Sequence, residues 1–225
     1  MCGRFAIKNP QAIKEAFQLE TMPELAPRFN IAPSQDIAMI RFTPAGRQLV
    51  FARWGLIPAW AKQEKSGYST INARAESVDS KPTYRTPFKR QRCIIPADGF
   101  YEWHTQSGVK IPHHIGRKDG APFALAGLWD QWAGPQGAVL SCSIIVTTAN
   151  AFMQRLHDRM PVILAPQDYA SWLDPANQDT ATLKQLLIPE PADRLTAWPV
   201  SRELNNPRLD GPECAQAVIA TSESV

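Results

Sequence analysis

The chain is predicted to fold as a single α+β domain over residues 1–225, with mixed, largely antiparallel, curved β-sheets making a barrel-like core flanked by short helices. Three observations predict this. β-like apolar runs dominate the middle of the chain, and helical patterns interrupt them without the regular alternation of a parallel α/β fold. Twenty prolines against 12 glycines are spread along 225 residues, which favours short elements joined by stiff loops over a helical bundle. No glycine-rich strand-to-helix turn occurs, which disfavours a βαβ nucleotide-binding unit.

Asn9 caps a predicted helix from Pro10 to Leu19, with Pro10 at its first position and Ile13, Ala16 and Phe17 on one face. A prolyl loop follows from Pro23 to Pro33. Ile37–Phe42 and Leu49–Trp54 read as strands of a hairpin closed by Pro44-Ala45-Gly46. The stretch Leu56–Arg92 is polar, broken by Pro58, Pro82 and Pro87, and rich in basic residues; so long an irregular segment is functional or disordered. Strand patterns then recur at Cys93–Ile95, Gly99–Trp103, His113–Ile115, Phe123–Trp129 and Leu140–Thr147. Asn150 caps a predicted helix through His157, Pro161–Leu164 reads as a strand, and Pro166–Leu173 and Thr182–Leu187 read as helices. The tail from about residue 209 carries no motif and is a candidate addition to the domain.

Hydrophobic residues make up 44% and charged residues 20%, the usage of an ordinary globular chain rather than a disordered or fibrous one. A net charge of +3 permits a nucleic-acid partner without requiring one. With no run of 18 apolar residues and a charged start, Met-Cys-Gly-Arg-Phe, neither a membrane span nor a secretory signal is expected. Cys2, Cys93, Cys142 and Cys214 form no CxxC pair, and the histidines lack HxxxH or HExxH spacing. No metal or other cofactor is therefore implied, and free thiols in a reducing cytoplasm are the expected state.

Four short stretches carry chemistry. Removal of Met1 would leave Cys2 as a 1,2-aminothiol, whose amine (reference pKa about 7.7–8.0) and thiol (about 8.5) are both nucleophilic near neutrality. Such a group attacks an ester or amide as a thiolate, or condenses with an aldehyde to an imine that sulfur closes into a thiazolidine; the other reading is a small residue at a disordered start. Asn72 and Arg74 lie two apart, so an extended backbone puts both on one face to share a site, whereas a solvated loop would leave them unrelated. Glu102, between Tyr101 and Trp103, either points inward among aromatics, where desolvation favours a general acid, or lies on the polar face of its strand. His157, at the end of its predicted helix, is either a dipole-favoured cation or a proton shuttle.

The order of Met-Cys-Gly-Arg-Phe, Arg28-Phe29-Asn30-Ile31-Ala32-Pro33, Trp54-Gly55-Leu56-Ile57-Pro58, Ile71-Asn72-Ala73-Arg74-Ala75-Glu76, Asp98-Gly99-Phe100-Tyr101-Glu102-Trp103 and His157-Asp158-Arg159-Met160-Pro161 resembles the SOS-response-associated peptidase family of abasic-site processing proteins, from residue 2 to about Ser201. The resemblance implies a domain that recognises abasic sites in single-stranded DNA and traps them covalently, and that removes its own first methionine. By position, Cys2 is the implied cross-linking residue, Asn72 contacts the opened sugar, and Glu102 and His157 transfer protons. Arg4, Arg74 and Arg159 hold phosphates, Trp60 and Trp103 contact bases, and Pro33 and Thr147 line the same cleft. A lyase-type activity, a monomeric state and a cytoplasmic location, on the nucleoid in a bacterium, complete the expectation. Ala61 stands where some relatives have a second tryptophan, and Pro82 interrupts the basic stretch Lys81–Arg85. The rival readings are an N-terminal-nucleophile amidohydrolase or peptidase using Cys2, and a non-enzymatic single-strand-binding module.

Overall fold

The computed structural model describes residues 2–64 and 69–218. In chain order the elements are β1 (Phe5–Ile7), α1 (Pro10–Ala16), β2 (Arg28–Ile31), β3 (Asp36–Thr43), β4 (Gly46–Trp54), β5 (Asn72–Arg74), α2 (Arg85–Arg90) and β6 (Arg92–Ala97). They continue with β7 (Gly99–Gln106), β8 (Val109–Arg117), β9 (Phe123–Gly134), β10 (Gly137–Thr148), β11 (Arg159–Pro161), α3 (Tyr169–Leu173), α4 (Thr180–Gln185) and β12 (Leu195–Pro199).

The β3–β4 hairpin forms as expected, in register from Asp36 opposite Arg53 to Thr43 opposite Gly46. Gly46 closes its turn at φ 97°, a left-handed conformation that a side chain disfavours. Pairing then runs β4–β10, β10–β9, β9–β6 and β6–β3, which closes these five strands into a ring. Closure removes exposed edges. β5 and β4 both run parallel to β10, and every other pairing is antiparallel, in line with the predicted mixed, largely antiparallel architecture. Beside the ring lies a second sheet in the order β12-β8-β7-β1-β2.

One large hydrophobic cluster fills the ring and the space between the sheets, and includes Cys2, Phe5, Trp54, Phe100, Phe123 and Trp172. A smaller cluster, Ala6, Tyr101, Val200, Leu204 and Cys214, covers the outer face of the second sheet. Residues 209–218 pack there: the Asp210 carboxylate accepts the Phe29 and Asn30 amides, each at 2.6 Å, and the Cys214 side chain is buried. All four cysteines are free. No helix among the described residues is long and apolar enough to cross a membrane.

Several boundaries differ from the sequence reading. The prolyl loop 23–33 contains β2, because Asn30 and Ile31 are drawn into the sheet by β1 and by the Asp210 loop, contacts far away in sequence. The described parts of the 56–92 stretch are ordered by β5 and α2 rather than irregular throughout. Asn150 does cap a turn, its Oδ1 accepting the Met153 amide at 2.8 Å, but the predicted helix through His157 is a single 3-10 turn, Met153–Arg155. The predicted strand Pro161–Leu164 begins two residues earlier, and β1 and β12 were not foreseen.

Candidate nucleic-acid interface

β1 positions Cys2. Phe5 pairs with Phe100 and Ala6 with Gly99, and the Tyr101 amide extends that register by donating to the Arg4 carbonyl at 2.9 Å. Cys2 lies three residues before β1, within the large cluster and near enough to Glu102 for that charge to act on its thiol. Alternation along β7 sends Phe100 and Glu102 toward the large cluster and Tyr101 and Trp103 toward the small one. Glu102 is thus 3% exposed, which excludes the polar-face reading. Tyr101 lies on the opposite face, while Trp103 reaches the rim of the cleft that Glu102 lines.

Cys2 is fully buried. With Met1 attached, burial, reinforced by the nearby Glu102 charge and partly offset by the N-terminal amine and the Arg4 amide, pushes its thiol up to about 12. In that form the thiol is protonated at neutral pH; loss of Met1 would place an amine on Cys2 itself, whose charge favours the thiolate.

Glu102 and His157 line one cleft of about 430 Å³, together with Trp103, Lys110, Arg202 and Asn205. Trp103 is fixed there by Nε1, which donates to Asn205 Oδ1 at 2.9 Å. His157 Nδ1 lies 2.9 Å from the Arg159 amide nitrogen and 2.7 Å from Asp158 Oδ1. Because His157 follows a 3-10 turn and not an α-helix, the helix-dipole reading of it does not apply.

Asn72 and Arg74 share a face as the extended reading expects, with buried Ala73 between them. β5 pairs Asn72 with Ile144 and Arg74 with Val146, and both side chains line a cleft of about 600 Å³ with Trp60, Lys81, Pro82 and Tyr84. Both polar atoms of the Asn72 amide are buried and meet no hydrogen-bond partner among the described residues. An unpaired buried amide costs about 1–3 kcal/mol, a cost that a hydrogen-bonding ligand would relieve. Trp60 is 64% exposed, an open aromatic face of the kind on which bases stack.

The remaining candidates are dispersed. Arg159 pairs with Glu76 across the end of β10, and Thr147 is buried opposite Met160. Pro33 borders a separate hollow that shares Ser69 with the Trp60 cleft. Arg4 turns inward, its Nη1 donating to Asn30 Oδ1 at 2.7 Å and to the Leu204 carbonyl at 3.1 Å. Lys110, Arg202 and Asn205 were missed in the sequence because they lie on other elements and no local pattern marks them. Among the described residues, no three His, Cys, Asp or Glu side chains gather as a metal site would require.

A family model described as SOS response associated peptidase (SRAP) matches residues 1–207. The chain is 45% identical over 223 residues to abasic site processing protein YoaM of Bacillus subtilis, covering 96% of this chain and 98% of that one. It is 34% identical over 201 residues to abasic site processing protein HMCES of Xenopus tropicalis, covering 79% of this chain and 59% of that one. Among solved structures, a Bordetella bronchiseptica protein superimposes with a TM-score of 0.78 at 31% identity, over 89% of this chain and all of its own. A Bacteroides thetaiotaomicron protein gives 0.82 at 26%, over 97% of this chain and all of its own.

Proposed function

Because the chain belongs to the SOS response associated peptidase family, we propose that it processes abasic sites in single-stranded DNA, trapping them covalently through Cys2. The observation that carries this is the burial of the Cys2 thiol beside Glu102, which itself lines a cleft with His157.

The reaction starts with hydrolysis of the Met1–Cys2 bond, which consumes one water and creates the Cys2 amine; Met1 is outside the described residues. That amine adds to the aldehyde carbon of the ring-opened sugar, and loss of water gives an imine. The Cys2 sulfur then adds to the imine carbon and closes a thiazolidine, so amine, thiol and aldehyde yield the ring plus one water. Glu102 takes the S–H proton as the C–S bond forms and passes it to the former imine nitrogen, which becomes the neutral ring N–H. His157, in the same cleft as Glu102, hydrogen-bonds the sugar hydroxyl freed by ring opening. Membership of a family whose relatives are named for abasic-site processing favours this route over an amidohydrolase. Intact DNA lacks the aldehyde, so reactivity as well as shape selects the lesion.

Trp60 stacks a base next to the lesion, Asn72 bonds the opened sugar, and Arg74 holds a flanking phosphate. Trp103 lines the Glu102–His157 cleft, whereas Arg4 turns inward, Thr147 is buried and Pro33 borders a separate hollow, so no strand contact is assigned to those three.

The test is adduct formation on a denaturing gel, using single-stranded oligonucleotides with and without an abasic site. Wild type is expected to give a denaturant-stable band only with the lesion, and Cys2→Ala none. A band on intact DNA, or one retained by Cys2→Ala, overturns the mechanism.

A further inference from the structure

Behind the Trp60 cleft, the chain from Ser77 to Arg90 makes a helical ridge. The Lys81 amide donates to Ser77, and the Tyr84 and Arg85 amides donate to Lys81, before α2 begins. One side of this ridge, Ser77 to Tyr84, walls the Trp60–Asn72 cleft. The other side opens into a second cleft of about 440 Å³, lined by Arg85, Lys89 and Arg90 with Asp79, and walled opposite by Gln178 and Thr180.

The charge in this second cleft is unbalanced. Residues 81–92 contain five cations and no carboxylate, more positive charge than the net +3 of the whole chain. Arg92 is buried and used internally: Nη1 donates to the Phe88 and Lys89 carbonyls, Nε to Trp172 at 2.7 Å and Nη2 to Asn177 at 2.8 Å. That clamp ties the end of α2 to the opposite wall and gives the cleft a fixed width. Asp79, the carboxylate in the lining, is already neutralised by Lys184 at 2.9 Å. Arg85, Lys89 and Arg90 form no ion pair among the described residues and are exposed. Three unpaired cations held together on a clamped scaffold repel one another unless an anion lies between them.

We propose that the α2 cleft is a second phosphate-binding stretch, which takes the backbone of the single strand flanking the abasic site after it crosses the Ser77–Arg90 ridge. This rests on the lesion-trapping reading above and adds to it the path of the strand. Arginine and lysine side chains without partners suit phosphodiester oxygens, and contacts of this kind carry no sequence preference.

The test measures reversible binding by fluorescence anisotropy with oligonucleotides bearing a tetrahydrofuran abasic analogue, which has no aldehyde to cross-link. One oligonucleotide spans only the lesion and its nearest neighbours; the other extends well beyond it on both sides. The triple variant Arg85→Gln, Lys89→Gln, Arg90→Gln is compared with wild type across a salt series, and its thermal midpoint is expected to be unchanged. For the longer oligonucleotide the slope of log K against log salt is expected to fall by about 2, at about 0.7 per phosphate, with about tenfold weaker binding. The short oligonucleotide is expected to bind both proteins alike. Equal slopes for the longer oligonucleotide, or equal weakening of the two lengths, overturns the α2 cleft. A wild type that still cross-links a true abasic site in that case leaves the trapping reading standing; one that neither binds nor cross-links removes both.

Discussion

The β1–β7 region and the 56–90 region divide the labour of the site in opposite ways. Cys2 and Glu102 are buried, Glu102 within β7 and Cys2 just before β1, the strand that pairs with β7. Trp60, Arg74, Lys81, Arg85, Lys89 and Arg90 are exposed on turns, one short strand and a six-residue helix. Bond formation needs reacting groups placed closely and kept from water. Holding an arbitrary single strand needs stacking faces and cations that tolerate variation. The two regions therefore predict separable losses, one in rate and the other in affinity.

Glu102→Gln keeps the shape of the side chain and removes the base, so it is expected to slow cross-linking at saturating DNA by about 10²–10⁴-fold with little change in Kd. A matching loss of affinity would show that the two regions are not separate. Arg92→Met should be the most damaging change on the binding side, since it strands the carbonyls of Phe88, Lys89, Trp172 and Asn177. A cost above about 3 kcal/mol is expected, read as a fall in the denaturation midpoint. An unaltered midpoint would mean that the clamp does not hold the α2 cleft. Trp60→Ala is expected to weaken single-strand binding by about 1–3 kcal/mol and to leave the cross-linking rate at saturation unchanged. A slower saturated rate would place Trp60 in the reacting geometry itself.

The same contrast governs what could be read from the sequence. Local signals were legible: the β3–β4 hairpin turn, the Asn9 and Asn150 caps, and the shared face of Asn72 and Arg74 all depend on neighbours within a few residues. Signals set by distant packing were not. β2 is held by Asp210, 180 residues from Asn30, and nothing within the prolyl loop reports it. Glu102 defeats alternation because β7 is covered on both faces, so inward and outward lose their meaning there. Lys110, Arg202 and Asn205 reach the Glu102 cleft from three places that only the folded chain unites. The ordered family motifs pointed to the site, while its depth and the second cleft along α2 emerged from the fold.

His114 sharpens the contrast through pH. It lies on β8 opposite Tyr101, stacked on Trp198 at 4.5 Å and edge-on to the Tyr101 ring at 5.2 Å, with both ring nitrogens buried and without hydrogen-bond partners among the described residues. Gly99 makes room for it, since a Cβ there would fall 2.3 Å from the imidazole. Burial, with a smaller contribution from Lys8, lowers its pKa from 6.5 to about 3. The unfolded chain thus takes up a proton between these values that the folded chain refuses. The stability this neutral ring permits is complete above about pH 6.5 and is lost as pH falls toward 3. By pH 5.5 wild type should have lost about 1 kcal/mol relative to His114→Phe, whose ring has no proton to gain. Parallel denaturation midpoints for the two proteins from pH 7 to 5.5 would remove this acid sensitivity from the β7–β8–β12 side. Divergence would place it there, on the Tyr101–Trp198 face of the second sheet, across that sheet from Cys2 and Glu102 and away from the exposed cations of α2.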